Sequence, residues 1–454
     1  MTGPLLELGR RASAAADAPT RALARLHLFD ALVAASAGAG TGEGARAARH
    51  HRGAVNGTGD GTGGPADLVL DLARRIRATE LDDLQLDSVT TAAAAVVPAL
   101  AGAAAVAGAS GCGADDVLDA AVAGYEVMHT LGLAAGGPDF LYRKRGWPSL
   151  VGAGPAAAAS AGSLLGLDAE QIAHAIALAL LSTPRSLRGN GEDGRWLSFG
   201  LAVTAGFHAA LAARSGSRGD LSLLDRAAGP GGTAGDELFP GLADALERPW
   251  APGRGLARAH LKQWASAGQV AAAIDAAGVL QDAHGFAAGQ VAAIDVHVPP
   301  AYRPMIDQLS GTGRMWSLVS AQYQVAARLL HPDDRFDCAR TVLRDDADFR
   351  RLMGVVRVHE EAALAARHPQ AYPARVTVTL RGGPAVTCRS DGRSPSPRWD
   401  WDPLLEKARA VAARAGFERR VEPLREGVSG FSDSAGFLRA AGQAIHPSSA
   451  LERP

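Results

Sequence analysis

The feature that most constrains the fold is a series of alanine- and leucine-rich segments, separated by glycine-rich turns, that fills residues 1 to about 250. Alanine is the strongest helix former, and its small side chain lets neighbouring helices approach closely. Apolar residues recur at helical spacing in residues 21–37 and 115–133. The stretch 168–181 begins with Asp168, a favoured N-cap residue, and continues as an apolar run. These patterns predict a large domain of packed helices.

The sequence pattern changes near residues 247–255, ERPWAPGRG, where proline and glycine interrupt the helical series. Beyond this point, residues 290–298 and 374–380 alternate apolar and polar side chains, as half-buried strands do. A helix is predicted between them over residues 317–330. We therefore predict a mainly α protein with an all-helical domain at 1–255, a smaller α/β lid domain at 256–395, and C-terminal helices at 396–454 that return to the helical domain.

Bulk composition narrows the function classes. The chain has 454 residues, which favours two domains. Charged residues make up 20% and the formal net charge is −1, so neither a disordered chain nor an electrostatic nucleic-acid binder is indicated. No long uninterrupted apolar stretch and no signal-peptide pattern are visible, so we expect a cytoplasmic protein without a membrane partner. Cys112, Cys338 and Cys388 fit no metal-binding spacing, and we expect no metal site.

Several ordered motifs carry a family resemblance. Residues 121–131, AVAGYEVMHTL, precede RGWPSLVGAGPAAAASAGSLLGLDAEQIAHAIALAL at 145–180. Together they resemble the central signature of the MmgE/PrpD family, to which 2-methylcitrate dehydratase and cis-aconitate decarboxylase belong. Residues 28–38, 195–206 and 320–330 extend the resemblance in the expected order. The resemblance implies a helical domain with a smaller α/β lid domain, a homodimer, and lyase chemistry that needs no cofactor.

Dehydrating or decarboxylating a citrate-like acid requires a base, an acid and cations that hold carboxylates. Three positions look retained from the family's catalytic set: Asp83 of the family's DD motif, Lys262 in AHLKQW, and Tyr323 in SAQYQVA. Lys262 is also one of only three lysines in the chain. His260, two residues before Lys262, is a further candidate for proton transfer. The resemblance thus implies catalytic roles for Asp83, Lys262, Tyr323 and His260.

Three other positions are changed from the family pattern. Thr91 and Trp147 stand where the resemblance places histidines, and Arg195 stands where it places a lysine. Arginine keeps the cation, but it is a poor proton donor and a better bidentate clamp for a carboxylate or phosphate. The other two changes remove groups that titrate near neutral pH. Ordinary dehydratase chemistry is therefore not implied by the resemblance alone.

Arginine and lysine are also dense in two segments near these positions. The first precedes Trp147 and the second leads to Arg195. A cluster of this kind is often only a solvated surface, but convergence of these side chains would select a strongly anionic substrate. The cations are Arg143, Lys144, Arg145, Arg185, Arg188 and Arg195. For substrate binding we single out Arg195, Thr91, Trp147, Arg188 and Arg145.

The sequence favours a cofactor-independent lyase that eliminates water, carbon dioxide or another group from a small anionic, polycarboxylate-like metabolite. Loss of the histidines leaves other functions open. Phosphate departs without a general acid, so a phosphate-eliminating enzyme of a natural-product pathway is one alternative. An isomerase or epimerase on the same fold, which returns the proton, is another. A non-catalytic ligand-binding descendant is the third.

Overall fold

The computed structural model divides the chain into two compact units. Unit 1 consists of residues 1–261 and 400–454, and unit 2 consists of residues 262–399. The boundaries predicted from the sequence are residues 255 and 395. The structure describes residues 3–47, 63–108, 112–142, 146–183, 194–225, 238–311, 313–339, 343–392 and 399–445.

Unit 1 is built from helices, and the protein as a whole is mainly α as predicted. Two short strands pair antiparallel, with Leu84 opposite His260. The elements of the first part of unit 1 are α1 Pro4–Ala12, α2 Ala18–Gly38, α3 Pro65–Ala78, β1 Leu84–Gln85, α4 Ala93–Ala107, α5 Ala114–Ala134, α6 Gly137–Tyr142, α7 Pro148–Leu164, α8 Ala169–Leu181, α9 Gly194–Arg214, α10 Leu242–Glu247, α11 Arg254–Ala257 and β2 Ala259–His260.

The predicted helices of this part are confirmed. The segments predicted at 21–37 and 115–133 lie within α2 and α5. The Asp168 carboxylate accepts a hydrogen bond from the Gln171 backbone N–H at 2.9 Å, and the Gln171 side chain accepts one from the Asp168 N–H at 3.0 Å. This reciprocal capping box satisfies two amide groups that have no partner within the helix. Local sequence therefore sets the start of α8.

Helix α7 lies at the centre of unit 1. It packs against α4, α5, α8 and α9, and every residue in it except Ser163 is buried. Small residues make this packing possible, because a Cβ atom added to Gly206 of α9 would lie 2.0 Å from the carbonyl oxygen of Gly154 in α7. The two backbones are thus in direct contact at a glycine pair.

Unit 2 contains a four-stranded sheet with strand order β4-β3-β5-β6. Strand β3 runs parallel to β4 and antiparallel to β5, which pairs antiparallel with β6. The predicted strands at 290–298 and 374–380 are confirmed as β3 and β5. The elements are α12 Gly268–His284, β3 Val291–Val298, α13 Arg303–Ile306, α14 Gly313–Val319, α15 Ala321–Leu330, α16 Ala347–Gly354, β4 Val356–Glu360, β5 Ala374–Leu380 and β6 Ala385–Ser390.

The single helix predicted at 317–330 is wrong. The structure has two helices there, α14 and α15, separated by Ser320. Ser320 adopts an extended backbone with ψ of 116°, and its hydroxyl accepts a hydrogen bond from the Tyr323 backbone N–H at 3.1 Å. Serine at an N-cap starts a new helix in this way. Apolar residues recur at helical spacing on both sides of Ser320, so the sequence pattern predicted one continuous helix.

Residues 400–445 form the C-terminal part of unit 1. They form α17 Trp401–Ala415, α18 Val421–Gly430 and α19 Ser434–Ile445. Helix α17 contacts α2, where the rings of Trp401 and Phe29 meet edge to face with centroids 5.5 Å apart. A buried ion pair, considered below, joins the same two helices.

Among the described helices, α9 alone is long and apolar enough to cross a membrane. Of the most apolar 18-residue window of α9, 56% is buried inside the structure. A core helix of a globular domain can be equally long and apolar. Helix α9 packs against three such neighbours, α3, α7 and α8.

The glycine contact between α7 and α9 gives a stability prediction. Gly206→Ala should lower the free energy of unfolding by about 2 kcal/mol, because the added methyl group forces two packed backbones apart. Gly442→Ala is the matched control, since a Cβ atom there meets nothing within 4 Å. In this control the free energy should stay constant or rise by up to about 1 kcal/mol. Urea unfolding followed by circular dichroism measures both, and equal effects would contradict the packing described.

Candidate functional site

The connection between α3 and α4, residues 79–92, is a buried polar loop. Of its residues, only Leu86 and Asp87 are not fully buried. Two non-glycine residues in it have positive φ angles, 53° at Glu80 and 55° at Val89. A β-branched residue rarely adopts this conformation, and backbone strain of this kind persists only where the surroundings enforce it. Such strain concentrates at functional sites, which makes the loop the first candidate.

Side chains inside the loop enforce its conformation. The Thr90 hydroxyl donates to Gln85 Oε1 at 2.6 Å, and Gln85 Nε2 donates to the Gly255 carbonyl oxygen at 2.7 Å. The backbones of Gln85 and Thr90 also exchange hydrogen bonds, at 2.8 and 3.3 Å. Gln85 thus ties both ends of a tight turn to the segment that leads into β2. A loop held at this many points presents its carboxylates in fixed positions.

Asp83 is fully buried and is bonded from three directions. Its Oδ2 atom lies 2.9 Å from His27 Nδ1 and accepts a hydrogen bond from the Tyr125 hydroxyl at 2.5 Å. Its Oδ1 atom accepts one from the Ala93 backbone N–H at 3.1 Å. These partners come from α2, α5 and the start of α4. One carboxylate therefore joins three helices of unit 1.

Burial by itself would raise the pKa of Asp83, but the hydrogen bonds from His27, Tyr125 and Ala93 bring that pKa below its usual value. Asp83 is therefore a carboxylate at neutral pH. Burial, reinforced by the Asp83 charge, raises the pKa of Tyr125 well above its ordinary value, so Tyr125 stays a donor. With Asp83 accepting, His27 carries its proton on Nδ1, a tautomer assigned from the hydrogen bonds.

The other ring nitrogen of His27, Nε2, forms no hydrogen bond with any residue that the structure describes. A carboxylate that orients an imidazole through Nδ1 and leaves Nε2 available is the arrangement of a general base. The buried Asp83 charge would also stabilise the imidazolium formed when Nε2 takes a proton. His27 and Asp83 can therefore transfer protons as a pair.

A buried ion pair lies beside this network. Lys407 Nζ of α17 is 2.7 Å from Asp30 Oδ1 of α2, and the two side chains are 2% and 3% exposed. Burial raises the pKa of Asp30, while the charge of Lys407 opposes the rise. The charge of Asp83 adds to the rise in the pKa of Asp30, so the two carboxylates and Lys407 lie in one electrostatic neighbourhood. The C-terminal segment thus supplies one of the charges around His27.

The neighbouring carboxylate, Asp82, is directed to a different partner. Both of its oxygens accept from Arg77 Nη1, at 2.5 and 2.6 Å, and Glu80 accepts from Arg77 Nη2 at 2.8 Å. Burial would lower the pKa of Arg77, but the two carboxylates raise it, so the guanidinium is charged. Its Cζ atom lies 5.0 Å from the ring centroid of Trp196. Adjacent aspartates thus serve two separate clusters.

Two of the residues predicted to bind substrate, Trp147 and Arg195, lie in the cluster around Arg77, and a third, Thr91, contacts the first turn of α7. Arg195 Cζ lies 4.2 Å from the ring centroid of Trp147. The Thr91 backbone N–H donates to Ser149 Oγ at 3.2 Å, two residues after Trp147 in the chain. Trp196 meets Trp147 edge to face, with centroids 6.1 Å apart. Arg145 and Arg188 lie outside the described residues.

The remaining predicted residues are distributed over both units. His260 is half-buried on β2, where it pairs with Leu84, the residue that follows Asp83 in the chain. Lys262 is half-buried and is the first residue of unit 2. Tyr323 is 1% exposed in the core of unit 2, where its hydroxyl accepts from the Arg344 backbone N–H at 3.2 Å. The catalytic roles of these residues stay predictions.

Four residues of these clusters were missed by sequence reasoning: His27, Tyr125, Arg77 and Lys407. Tyr125 lies in the GYE motif, and Lys407 is one of the three lysines, so signals for both were present. His27 directly precedes the motif at residues 28–38. In the part of the chain that the structure describes, no group of three or more His, Cys, Asp or Glu side chains could hold a metal ion.

Comparison with known families gives two matches. A model of the MmgE/PrpD N-terminal domain matches residues 12–234, and a model of the MmgE/PrpD C-terminal domain matches residues 264–428. Together they cover most of the chain and confirm the resemblance carried by its motifs. A search of curated proteins finds no match to this chain.

A half-buried carboxylate on α12, Asp275, gives a prediction about pH. Asp275 Oδ1 accepts a hydrogen bond from Trp264 Nε1 at 2.6 Å. Burial raises the pKa of Asp275 to about 6, although the Trp264 bond and the charges of Arg328 and Arg335 oppose the rise. A carboxyl whose pKa is raised by folding stabilises the folded state at low pH. This contribution is lost as the pH rises through 6.

Asp275→Asn, which keeps an oxygen for Trp264, should therefore raise the free energy of unfolding at pH 8 by up to about 2 kcal/mol. The gain should shrink between pH 6 and pH 4, where wild-type Asp275 becomes protonated. Asp282→Asn on the same helix is the control, because Asp282 is 71% exposed. Urea unfolding at a series of pH values measures both variants. A gain for Asp275→Asn that does not change with pH would contradict the raised pKa.

Proposed function

The chain belongs to the MmgE/PrpD family, and we propose that it is a lyase that abstracts a proton next to a carboxylate of a small anionic metabolite. The family is dehydratase- or lyase-like. The observation that carries the proposal is the buried pair of His27 and Asp83, in which the carboxylate orients an imidazole whose Nε2 has no hydrogen-bond partner among the described residues.

In the proposed step, His27 Nε2 takes the proton from the carbon adjacent to a substrate carboxylate. The electron pair of the broken C–H bond forms a carbon–carbon double bond, and the leaving group departs from the neighbouring carbon with its bonding pair. Asp83 stabilises the imidazolium, and the Tyr125 hydroxyl holds Asp83 in place at 2.5 Å. This step requires neither a redox change nor a cofactor.

The leaving group decides whether a second proton donor is needed. Water leaves as hydroxide unless an acid protonates it, whereas phosphate departs unaided. His260, which pairs with Leu84 next to Asp83 in the sequence, is the proposed donor for a poor leaving group. Lys262 and Tyr323 stay predictions from the family motifs, as do the homodimer and the cytoplasmic location.

A substrate panel tests the function. The purified protein is incubated with citrate, 2-methylcitrate, cis-aconitate and O-phosphorylated hydroxy acids in D2O, followed by NMR and mass spectrometry. A lyase yields an unsaturated or decarboxylated product that has lost the leaving group. An isomerase gives a product of unchanged formula apart from deuterium. If no compound is turned over and none exchanges deuterium, the protein is a binding protein and the proposal fails.

On a substrate found in this way, His27→Asn should lower kcat at least about 100-fold with KM changed less than about threefold. The asparagine amide keeps a donor to Asp83 but removes the second ring nitrogen. His174→Asn is the control, since His174 is also buried in unit 1 and held through Nδ1, but its partner at 3.0 Å is the Gly219 carbonyl oxygen and not a carboxylate. Full activity of a folded His27→Asn variant would show that His27 is not the general base.

A further inference from the structure

Lys407 is a buried lysine in a chain that uses arginine for nearly all of its positive charges. Among the 46 basic residues, only Lys144, Lys262 and Lys407 are lysines. The Lys407 side chain in α17 is 2% exposed, whereas Lys262 is half-buried. A lysine is almost never buried to this extent unless an acidic group pairs with it. The position of that acidic group therefore indicates what the lysine does.

The acidic partner, Asp30, lies one helical turn from His27. The Lys407 Nζ atom is 2.7 Å from Asp30 Oδ1, a distance typical of contacts between two charged groups. Asp30 follows His27 by three residues in α2, and residues at this spacing are neighbours on one face of a helix, with Cβ atoms about 5–6 Å apart. Both side chains are buried. Asp30 is therefore a second carboxylate on the face of α2 that carries His27, in addition to Asp83.

Electrostatic effects on the neighbouring groups show that Asp30 belongs to the network of Asp83. Burial is the main cause of the raised pKa of Tyr125, and the charges of Asp83 and Asp30 add to it. Burial and the charge of Asp83 in turn raise the pKa of Asp30, and the charge of Lys407 opposes this rise. Burial and a like charge thus favour a neutral Asp30, and Lys407 favours the carboxylate. Loss of Lys407 would leave Asp30 protonated.

Other charged groups along α2 are engaged away from His27. Arg21 pairs with Asp119 at 2.8 Å, and Arg25 donates to the backbone of α18. Asp71 and Arg75 of α3 pair with each other, and Arg75 lies against the last residue of α2. Among the described residues, the titratable groups around the imidazole are Asp83 of the loop, Tyr125 of α5, Asp30 of α2 and Lys407 of α17.

We propose that Lys407 is a positioning residue for proton abstraction, which keeps Asp30 ionised so that a second buried carboxylate stabilises the imidazolium formed when His27 takes the substrate proton. The inference rests on the proposed function for the role of His27 as the base. Opposite charges attract more strongly in a buried site than in water, so an ionised Asp30 raises the proton affinity of the imidazole. Lys407 acts through Asp30 and needs no contact with the substrate.

An ion pair that served stability alone would behave differently. Removing one partner of a buried pair leaves an uncompensated charge and is strongly destabilising, whereas replacing both partners by uncharged residues is often close to neutral. The double variant Asp30→Asn/Lys407→Met should therefore stay folded. It also removes the second carboxylate, so it separates a role in stability from a role in the chemistry of His27.

The test follows the titration of the His27 ring by NMR in the full-length protein labelled with 15N-histidine, without substrate. In the double variant the proton affinity of His27 should fall at least about threefold, which moves the titration midpoint to lower pH. On a substrate found with the panel, kcat should fall by a similar factor with KM changed less than about twofold. The acid limb of the pH profile of kcat should move with the NMR midpoint.

The matched control is the second buried ion pair of unit 1. Asp71 and Arg75 are 2.8 Å apart with side chains 5% and 7% exposed, and they lie at the far end of α2 from His27. Asp71→Asn/Arg75→Met should leave the His27 midpoint and kcat as in wild type. A folded Asp30→Asn/Lys407→Met variant that also matches wild type in both readouts would make the Lys407 pair purely structural and overturn the proposal.

A second measurement needs only conditions in which the wild-type protein is folded. The 13C resonance of the Asp30 carboxyl carbon should report a carboxylate at neutral pH in wild type. In Lys407→Met, where this variant folds, it should report a protonated carboxyl group. A protonated Asp30 in the wild-type protein overturns the proposal.

The NMR readouts are independent of the lyase test. A His27 midpoint that depends on Asp30 and Lys407, without turnover of any compound, would leave the electrostatic role of Lys407 standing and remove the proposed function. Turnover with a midpoint that the double variant does not change would do the reverse.

Discussion

The buried Asp83 carboxylate is the interaction on which unit 1 depends most. It accepts hydrogen bonds that reach α2 through His27, α5 through Tyr125 and the start of α4 through Ala93. An isolated carboxylate in this environment would be strongly unfavourable, and removing its partners would leave a buried charge uncompensated. The same hydrogen bonds that make burial tolerable also orient His27. The contacts that stabilise the buried Asp83 carboxylate are therefore the same contacts that position His27 for proton transfer.

The loop at 79–92 organises two clusters with different chemistry. On one side Asp83 holds an imidazole that can exchange protons. On the other, Asp82 and Glu80 neutralise Arg77 beneath a group of aromatic rings, and Arg195 stacks on Trp147. Thr91 and Trp147, which stand where the family resemblance places histidines, give the second side hydrogen-bond donors that do not titrate near neutral pH.

Sequence patterns predicted helices α2, α5 and α8 and strands β3 and β5. They did so because capping residues, alternation and motif spacing are local signals. They missed the break at Ser320, where apolar periodicity continues across a serine cap. His27 and Lys407 were missed because their partners, Asp83 and Asp30, are distant in the chain. Only tertiary packing shows that these side chains are paired.

The tautomer of His27 tests the account most directly, because proton abstraction requires that Nδ1 carry the hydrogen and Nε2 be bare. Nitrogen chemical shifts of the protein labelled with 15N-histidine report this for each ring, and His27→Asn assigns the signal. The account predicts a protonated Nδ1 and an unprotonated Nε2 in His27 at neutral pH. An unprotonated Nδ1, accepting from Tyr125 while Nε2 carries the hydrogen, would contradict it.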